Sequence, residues 1–361
     1  MNAVGGAVSL LATDRLPARR RGILLGLGTC AVLAALIALG TGAVAISPLQ
    51  VIAILLAQFG IDAGVLVVPQ QDAVLMSVRL PRVLLSLAVG AVLGIGGAAL
   101  QALFRNPLAD PGLVGVSGGA ACGAVAWIVV GGMAANWSLG AWGLPLAAFV
   151  GGFAAALGVY AVARSEGRVD VAMLLLAGLA MNALTGAILG YLIYLGDEQQ
   201  VRALTFWLLG SLGGATWGTI LPALVFIAVA LVSLAPLARA FDALALGEAE
   251  AGHLGVPVEG LKRWTVAGVT LGVGAATALT GIIGFVGLMA PHLVRLIGGP
   301  AHRFVLPASA LLGAALVTLA DTGARMAVVP AELPIGVVTS AIGAPFFFWL
   351  LRARMRDRGW R

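Results

Sequence analysis

The chain has 361 residues, 61% of them hydrophobic and only 10% charged, with a net charge of +6. A soluble domain carries roughly 25% charged residues, so this composition excludes a water-facing globule and makes lipid the natural solvent. Mean hydropathy is +1.06, and the positive balance reads as membrane topology, not as a nucleic-acid surface.

A membrane helix needs ~20 apolar residues. Spans are expected near 22–46, 80–104, 113–133, 139–163, 171–195, 217–238, 262–281, 284–298, 304–320 and 335–351. Arg19-Arg20-Arg21 precedes the first, which at about 25 residues exceeds the 7–15 of a signal-peptide core and reads as a retained helix. Residues 1–21 read as a disordered cytoplasmic N-terminus, 22–352 as a single transmembrane domain and 353–361 as a basic cytoplasmic tail. The polar loops are 47–78, 196–216 and 239–261. As one helix, 262–298 would run about 55 Å at 1.5 Å per residue, too long for one crossing, so it is broken at Gly281-Ile282-Ile283-Gly284. Glycine reaches 51 residues. Gly90/Gly94, Gly115/Gly119/Gly123 and Gly268/Gly272 have the GxxxG spacing that lets membrane helices approach closely. Cys30 and Cys122 lie inside apolar runs and read as packing residues.

With the N-terminus inside and ten crossings, Arg79, Arg82, Arg202 and Arg325 fall outside. All other lysine and arginine residues fall inside, as the positive-inside rule requires. Both termini are then cytoplasmic. Arg79 and Arg82 flank Pro81 at a helix start, and Arg325 follows Asp321 at an outer helix end. A single arginine there is ordinarily a snorkelling anchor. A cationic cluster on an otherwise stripped face instead offers partners to the carboxylates of a docking protein or an anionic substrate.

The loop 240–260 is the longest inner one, and Leu246-Gly247-Glu248-Ala249-Glu250-Ala251-Gly252-His253-Leu254-Gly255 reads as a short helix between glycines. It is either an amphipathic surface connector or a contact helix that passes force from a cytoplasmic partner. The only lysine, Lys262, follows Leu261, so no GxxxxGK[ST] phosphate loop exists. ATP chemistry must come from another subunit, and no nucleophile–base pair suggests an enzyme. His253, His292 and His302 show no metal-ligand spacing. Almost all Asp and Glu fall in loops, which disfavours a proton- or sodium-coupled carrier. Met181-Asn182 lies midway along the fifth span. Asn there is an interhelical hydrogen-bonder or a pathway-lining residue.

Seven segments in order resemble the FecCD family of bacterial ABC importer permeases: Arg79-Leu80-Pro81-Arg82, Gln101 to Pro111, Gly115 to Gly119, Leu174 to Gly178, Phe206 to Leu212, Gly284 to His292 and Glu332 to Thr339. The resemblance implies an all-α, type II permease fold with about ten helices, working as a homodimer in the bacterial inner membrane. Two cytoplasmic ATPase subunits, holding ATP and Mg, would drive it, and one periplasmic substrate-binding protein would deliver cargo. This chain would bind no cofactor or metal itself. By residue, the resemblance implies docking of the binding protein at Arg79, Arg82 and Arg325. It implies ATPase coupling at Leu246, Gly247, Glu248, Ala251, Leu254 and Gly255, and a gate or pathway at Asn106, Leu108, Val171, Ala172, Met181 and Asn182. Where the family's corrinoid permease has hydroxyl side chains, this chain has apolar Val171 and Ala172. Stretches 206–217 and 329–334 resemble the haem permeases most, so haem is the expected cargo, with a ferric siderophore or cobalamin as the alternative and a stand-alone secondary transporter as a distant one.

Overall fold

The computed structural model describes residues 16–133, 139–328 and 331–357. The expectations for 1–15, for Val329-Pro330 and for 358–361 lie outside them. Fourteen helices follow one another among the described residues: α1 Ala18–Gly40, α2 Pro48–Ala57, α3 Pro69–Leu103, α4 Val116–Met133, α5 Gly143–Ala163, α6 Val171–Leu195, α7 Glu198–Leu209, α8 Trp217–Leu234, α9 Ala238–Leu244, α10 Glu248–His253, α11 Val258–Thr280, α12 Val286–Gly298, α13 His302–Ala327 and α14 Ile335–Asp357. The one sheet is a two-residue hairpin, β1 Arg164–Ser165 and β2 Arg168–Val169, with Arg164 opposite Val169.

Each of the ten expected spans has its helix. Six helices are long and apolar enough to cross a membrane by length and composition, and Val116–Val130, Val286–Gly298 and Ile335–Leu350 are shorter apolar helices. The break expected at 281–284 is present: α11 ends at Gly281, whose φ of +69° only glycine adopts readily, and α12 starts at Val286. Several boundaries differ from the sequence expectation, α13 among them, which runs to Ala327 and so carries Asp321 and Arg325 within a helix. The first helix begins at Ala18, inside the segment expected to be disordered. The last continues to Asp357, into the expected tail. The expected loop 47–78 carries α2 and the first turns of α3. Ser47 and Gln50 form a reciprocal capping box with Pro48 at the first helical position. Pro69 starts α3, which passes through a π turn at Leu75–Arg79. The loop 196–216 likewise carries α7, capped by Asp197 and Gln200.

Glycine sets the packing. α3 and α13 are the buried pair, and they cross backbone on backbone: a Cβ on Gly90 would lie 2.2 Å from the Gly313 oxygen, and one on Gly94 2.0 Å from the Ser309 oxygen. α4 and α5 cross in the same way, with Gly123 against the Ala147 oxygen and Gly119 against that of Gly151. Gly268 and Gly272 of α11 face side chains of α3 and α8 instead. Gly115 is not part of a helix face; at φ +83° it forms the left-handed turn that lets α4 begin. The core runs along α3, α8, α11 and α13, through Val89, Val92, Val269, Val273 and Val317.

α11 is 23 residues long, about 35 Å, and fixes the two ends of the bundle. At its C-terminus the Thr280 oxygen accepts from the Ser211 amide, next to the Arg82–Glu332 pair through Gly213. At its N-terminus stands Lys262. We call these the arginine end and the lysine end.

Candidate functional site

At the arginine end the three arginines of the sequence reading are brought together, but they turn inward. Arg79 is the last residue of the π turn and donates from Nη1 to the Leu39 and Gly40 oxygens at 2.7 and 3.1 Å and from Nη2 to the Val44 oxygen. It thereby ties the end of α1 to α3. Arg82 Nε and Nη2 hold Asp321 Oδ2 and Oδ1 at 3.0 and 2.8 Å. Its Nη1 and Nη2 donate to Glu332 Oε1 and Oε2, both at 2.9 Å. Arg325 lies 3.4 Å from Asp321 and donates to the Ala38 oxygen at 3.1 Å. The Arg82 and Asp321 side chains are 10% and 3% exposed, whereas Glu332 is 46% exposed. A recess of about 500 Å³ opens onto Arg79, Arg82, Arg325 and Glu332. Glu332 belongs to the Glu332-Leu333-Pro334 segment already singled out, but its partner stands 250 positions earlier. Along the chain the available signal was Asp321 four positions before Arg325.

The turn after α3 is tightly built. Arg105 takes the left-handed conformation at φ 46°. Asn106 Oδ1 accepts from the Leu108 amide at 2.9 Å, and Asp110 Oδ1 accepts from that of Gly112 at 2.9 Å. These local bonds are the ones Asx residues offer a turn, and they leave Leu108 exposed. The segment 111–114 then runs back against α6. Gly178 meets the Leu113 oxygen so closely that a Cβ would be 1.7 Å away. Asn182 Nδ2 donates to the Gly112 oxygen at 3.0 Å, and Met181 packs on Gly115. Asn182 thus bonds to the 111–114 segment, and Met181 and Asn182 are half-buried against it. The open face of α6 is a different one, with Met173, Leu176, Leu179, Leu184, Ile188 and Tyr191 exposed. Val171 is half-buried and Ala172 exposed at its start.

At the lysine end α10 forms as the spacing of glycines predicts. Gly247, at φ +133°, precedes it, and Gly255, at φ +83°, ends its turn. Ala251 is fully buried and anchors the helix, while Leu246 and Leu254 project at 67% and 56% exposure. Glu248 reaches Lys262 Nζ at 2.7 Å. The resulting surface offers two apolar side chains on a rigid turn, a shape suited to a cleft in a partner. His302 Nδ1 pairs with Asp242 at 2.8 Å. Among the described residues no group of His, Cys, Asp and Glu could hold a metal ion.

Residues 30–353 match the model of the FecCD transport family. The chain belongs to that family. The hemin transport system permease protein of Yersinia pestis is 44% identical over 283 residues, 78% of this chain and 84% of that protein. The vitamin B12 import system permease protein of Shigella sonnei is 43% identical over 284 residues, 78% and 85% of the two chains. The cobalamin import system permease protein of Halobacterium salinarum is 44% identical over 288 residues, 80% and 76% of the two chains. In structure, a metal-chelate type ABC transporter in an inward-facing conformation superposes with a TM-score of 0.80 at 33% identity, covering 92% of this chain and 99% of that one. As a FecCD protein, the chain is a multi-pass, all-α permease of the ABC importer class.

Proposed function

We propose that this permease carries haem across the bacterial inner membrane, as a homodimer served by two ATPase subunits that hold ATP and Mg and by one periplasmic binding protein. The arginine end is then periplasmic, and the lysine end and both termini are cytoplasmic. The observation that carries the cargo is the apolar start of α6: Val171 and Ala172 stand where α6 opens, followed by the exposed Met173 and Leu176. Such a wall suits a planar apolar macrocycle that must pass without being held. The likeness to the Yersinia pestis hemin permease supports this cargo.

The binding protein docks at the 500 Å³ recess. There an incoming carboxylate meets Arg79, Arg82 and Arg325 and takes the place of Glu332, the one exposed anion of the cluster. ATP closure pulls α10, and the two protomers rock about their interface. Each ligand shifts the equilibrium only by its preference for one state, so ATP and the loaded binding protein must prefer different conformers.

The test is uptake into proteoliposomes containing this chain with its ATPase and binding protein. Hemin is expected to accumulate only with ATP inside the ATPase compartment, and excess cyanocobalamin is expected not to compete. Cobalamin or siderophore uptake in place of hemin would overturn the cargo. Accumulation without ATP would overturn the importer reading in favour of a secondary transporter.

A further inference from the structure

The lysine end holds an ion cluster that shares only Glu248 with the coupling surface. Lys262 is the only lysine in the chain, and its side chain is 4% exposed. An ammonium has three hydrogens to donate, and here each has an acceptor on a different element. Nζ lies 2.7 Å from Glu248 Oε2 on α10, 3.0 Å from Glu259 Oε1 on α11 and 2.7 Å from the Val169 oxygen on β2. Glu259 closes the arrangement by accepting from the Val169 amide through Oε2 at 2.8 Å. Both backbone groups of Val169 are thus held by one ion pair. The next residue, Asp170, caps α6 by accepting from the Met173 amide at 2.9 Å, and its own amide donates to the Ala163 oxygen. From Glu248 to the start of α6 the path runs through three hydrogen bonds, Glu248–Lys262, Lys262–Val169 and Asp170–Met173, joined by the Val169–Asp170 peptide bond.

We propose that Lys262 is the pin that makes α10 and the entrance of α6 move as one body. This rests on the reading of α10 as the helix an ATPase grips, and names the residue that carries its displacement to Val171 and Ala172. The cluster is suited to that task. Coupling between sites requires an element that both bias, and a lysine 4% exposed with all three ammonium hydrogens donated is held in one place, although Glu248 and Glu259 stay 41% and 39% exposed. Arginine would not substitute, because its planar fork cannot direct three donors to three converging oxygens.

The experiment uses the full transporter in proteoliposomes, with hemin as probe and uptake per ATP hydrolysed as the readout. Lys262→Met should lower that ratio by about tenfold, within the usual range of allosteric coupling, and Lys262→Arg should not restore it. Spin labels at Ala172 and Leu254 supply a readout that a purely stabilising role leaves alone. Their separation should stay constant through the ATP cycle in the parent and vary with nucleotide in Lys262→Met. Where Lys262→Met does not assemble, Glu259→Gln, which lies outside the coupling surface and loosens the hold on Lys262 and the Val169 amide, is measured in the same two ways. Leu246→Asp tests the underlying reading, since it should remove ATPase binding whatever Lys262 does. Loss with Leu246→Asp but an unchanged ratio and label separation in Lys262→Met, or in Glu259→Gln, overturns the pin and leaves the reading standing. No effect of Leu246→Asp overturns both.

Discussion

Replacing Gly94 by leucine is expected to leave no monodisperse permease after extraction from the membrane. At this position a Cβ would stand 2.0 Å from the Ser309 oxygen and 2.7 Å from its carbon, and one turn away Gly90 meets the Gly313 oxygen and carbon at 2.2 and 2.6 Å. These obstacles are backbone atoms of α13, so no side chain can rotate out of the way. Overpacking that a core can absorb costs ~1–3 kcal/mol; here the helices must part, and α3 and α13 are the most buried of the long apolar helices. The effect should exceed that range, and even Gly94→Ala should lower the thermal midpoint in detergent. Gly26 of α1 is the control. A Cβ there meets nothing within 4 Å, and Gly26→Leu should elute and melt like the parent. A normal elution profile for Gly94→Leu would mean that the α3–α13 crossing is not as drawn.

The second large effect separates two residues of one cluster. Arg82→Met leaves Asp321, whose side chain is 3% exposed, with only the 3.4 Å contact to Arg325. Breaking a buried pair by removing one partner costs ~3–5 kcal/mol, because the remaining charge is stranded. The variant should therefore unfold at a markedly lower temperature, independently of any partner. Glu332→Gln should not, since that carboxylate is 46% exposed and water can serve the arginine when it is neutralised. It should instead tighten binding-protein docking at low salt by a few-fold, because the incoming carboxylate no longer displaces an anion, and the gain should shrink as salt screens the recess. Equal stability for Arg82→Met and the parent, or weaker docking of Glu332→Gln, would contradict the arrangement proposed for the arginine end.

These two residues also show where sequence reasoning reaches its limit. The spans were legible because apolar runs bounded by charge are set by the bilayer, a local constraint. So was the break at Gly281–Gly284, which follows from helix length against membrane thickness. α10 was legible because two glycines delimit it. The helices α2 and α7 were not, although Ser47-Gln50 and Asp197-Gln200 are capping boxes: α2 is apolar but only 10 residues long, about half a crossing, and the 12 residues of α7 mix polar and apolar types. The arginines were legible as a cluster but not as buried ones. Asp321 and Glu332 come to Arg82 only when α3 and α13 cross. Nor could spacing turn Asn182 toward Gly112, or Lys262 toward Val169, since each contact is made by a segment that doubles back. Chemistry local to a segment is written along the chain, whereas partners distant along it are set by how the helices cross.

The most direct measurement of the central claim is the sidedness of the two ends. In a chain with Cys30 and Cys122 replaced by alanine, single cysteines are introduced at Glu332 and at Glu250 and exposed to a membrane-impermeant maleimide. The account predicts labelling at 332 in intact spheroplasts and at 250 only in inside-out vesicles. Labelling of both from the same side would contradict it, because docking and driving surfaces on one face cannot move cargo through the membrane between them.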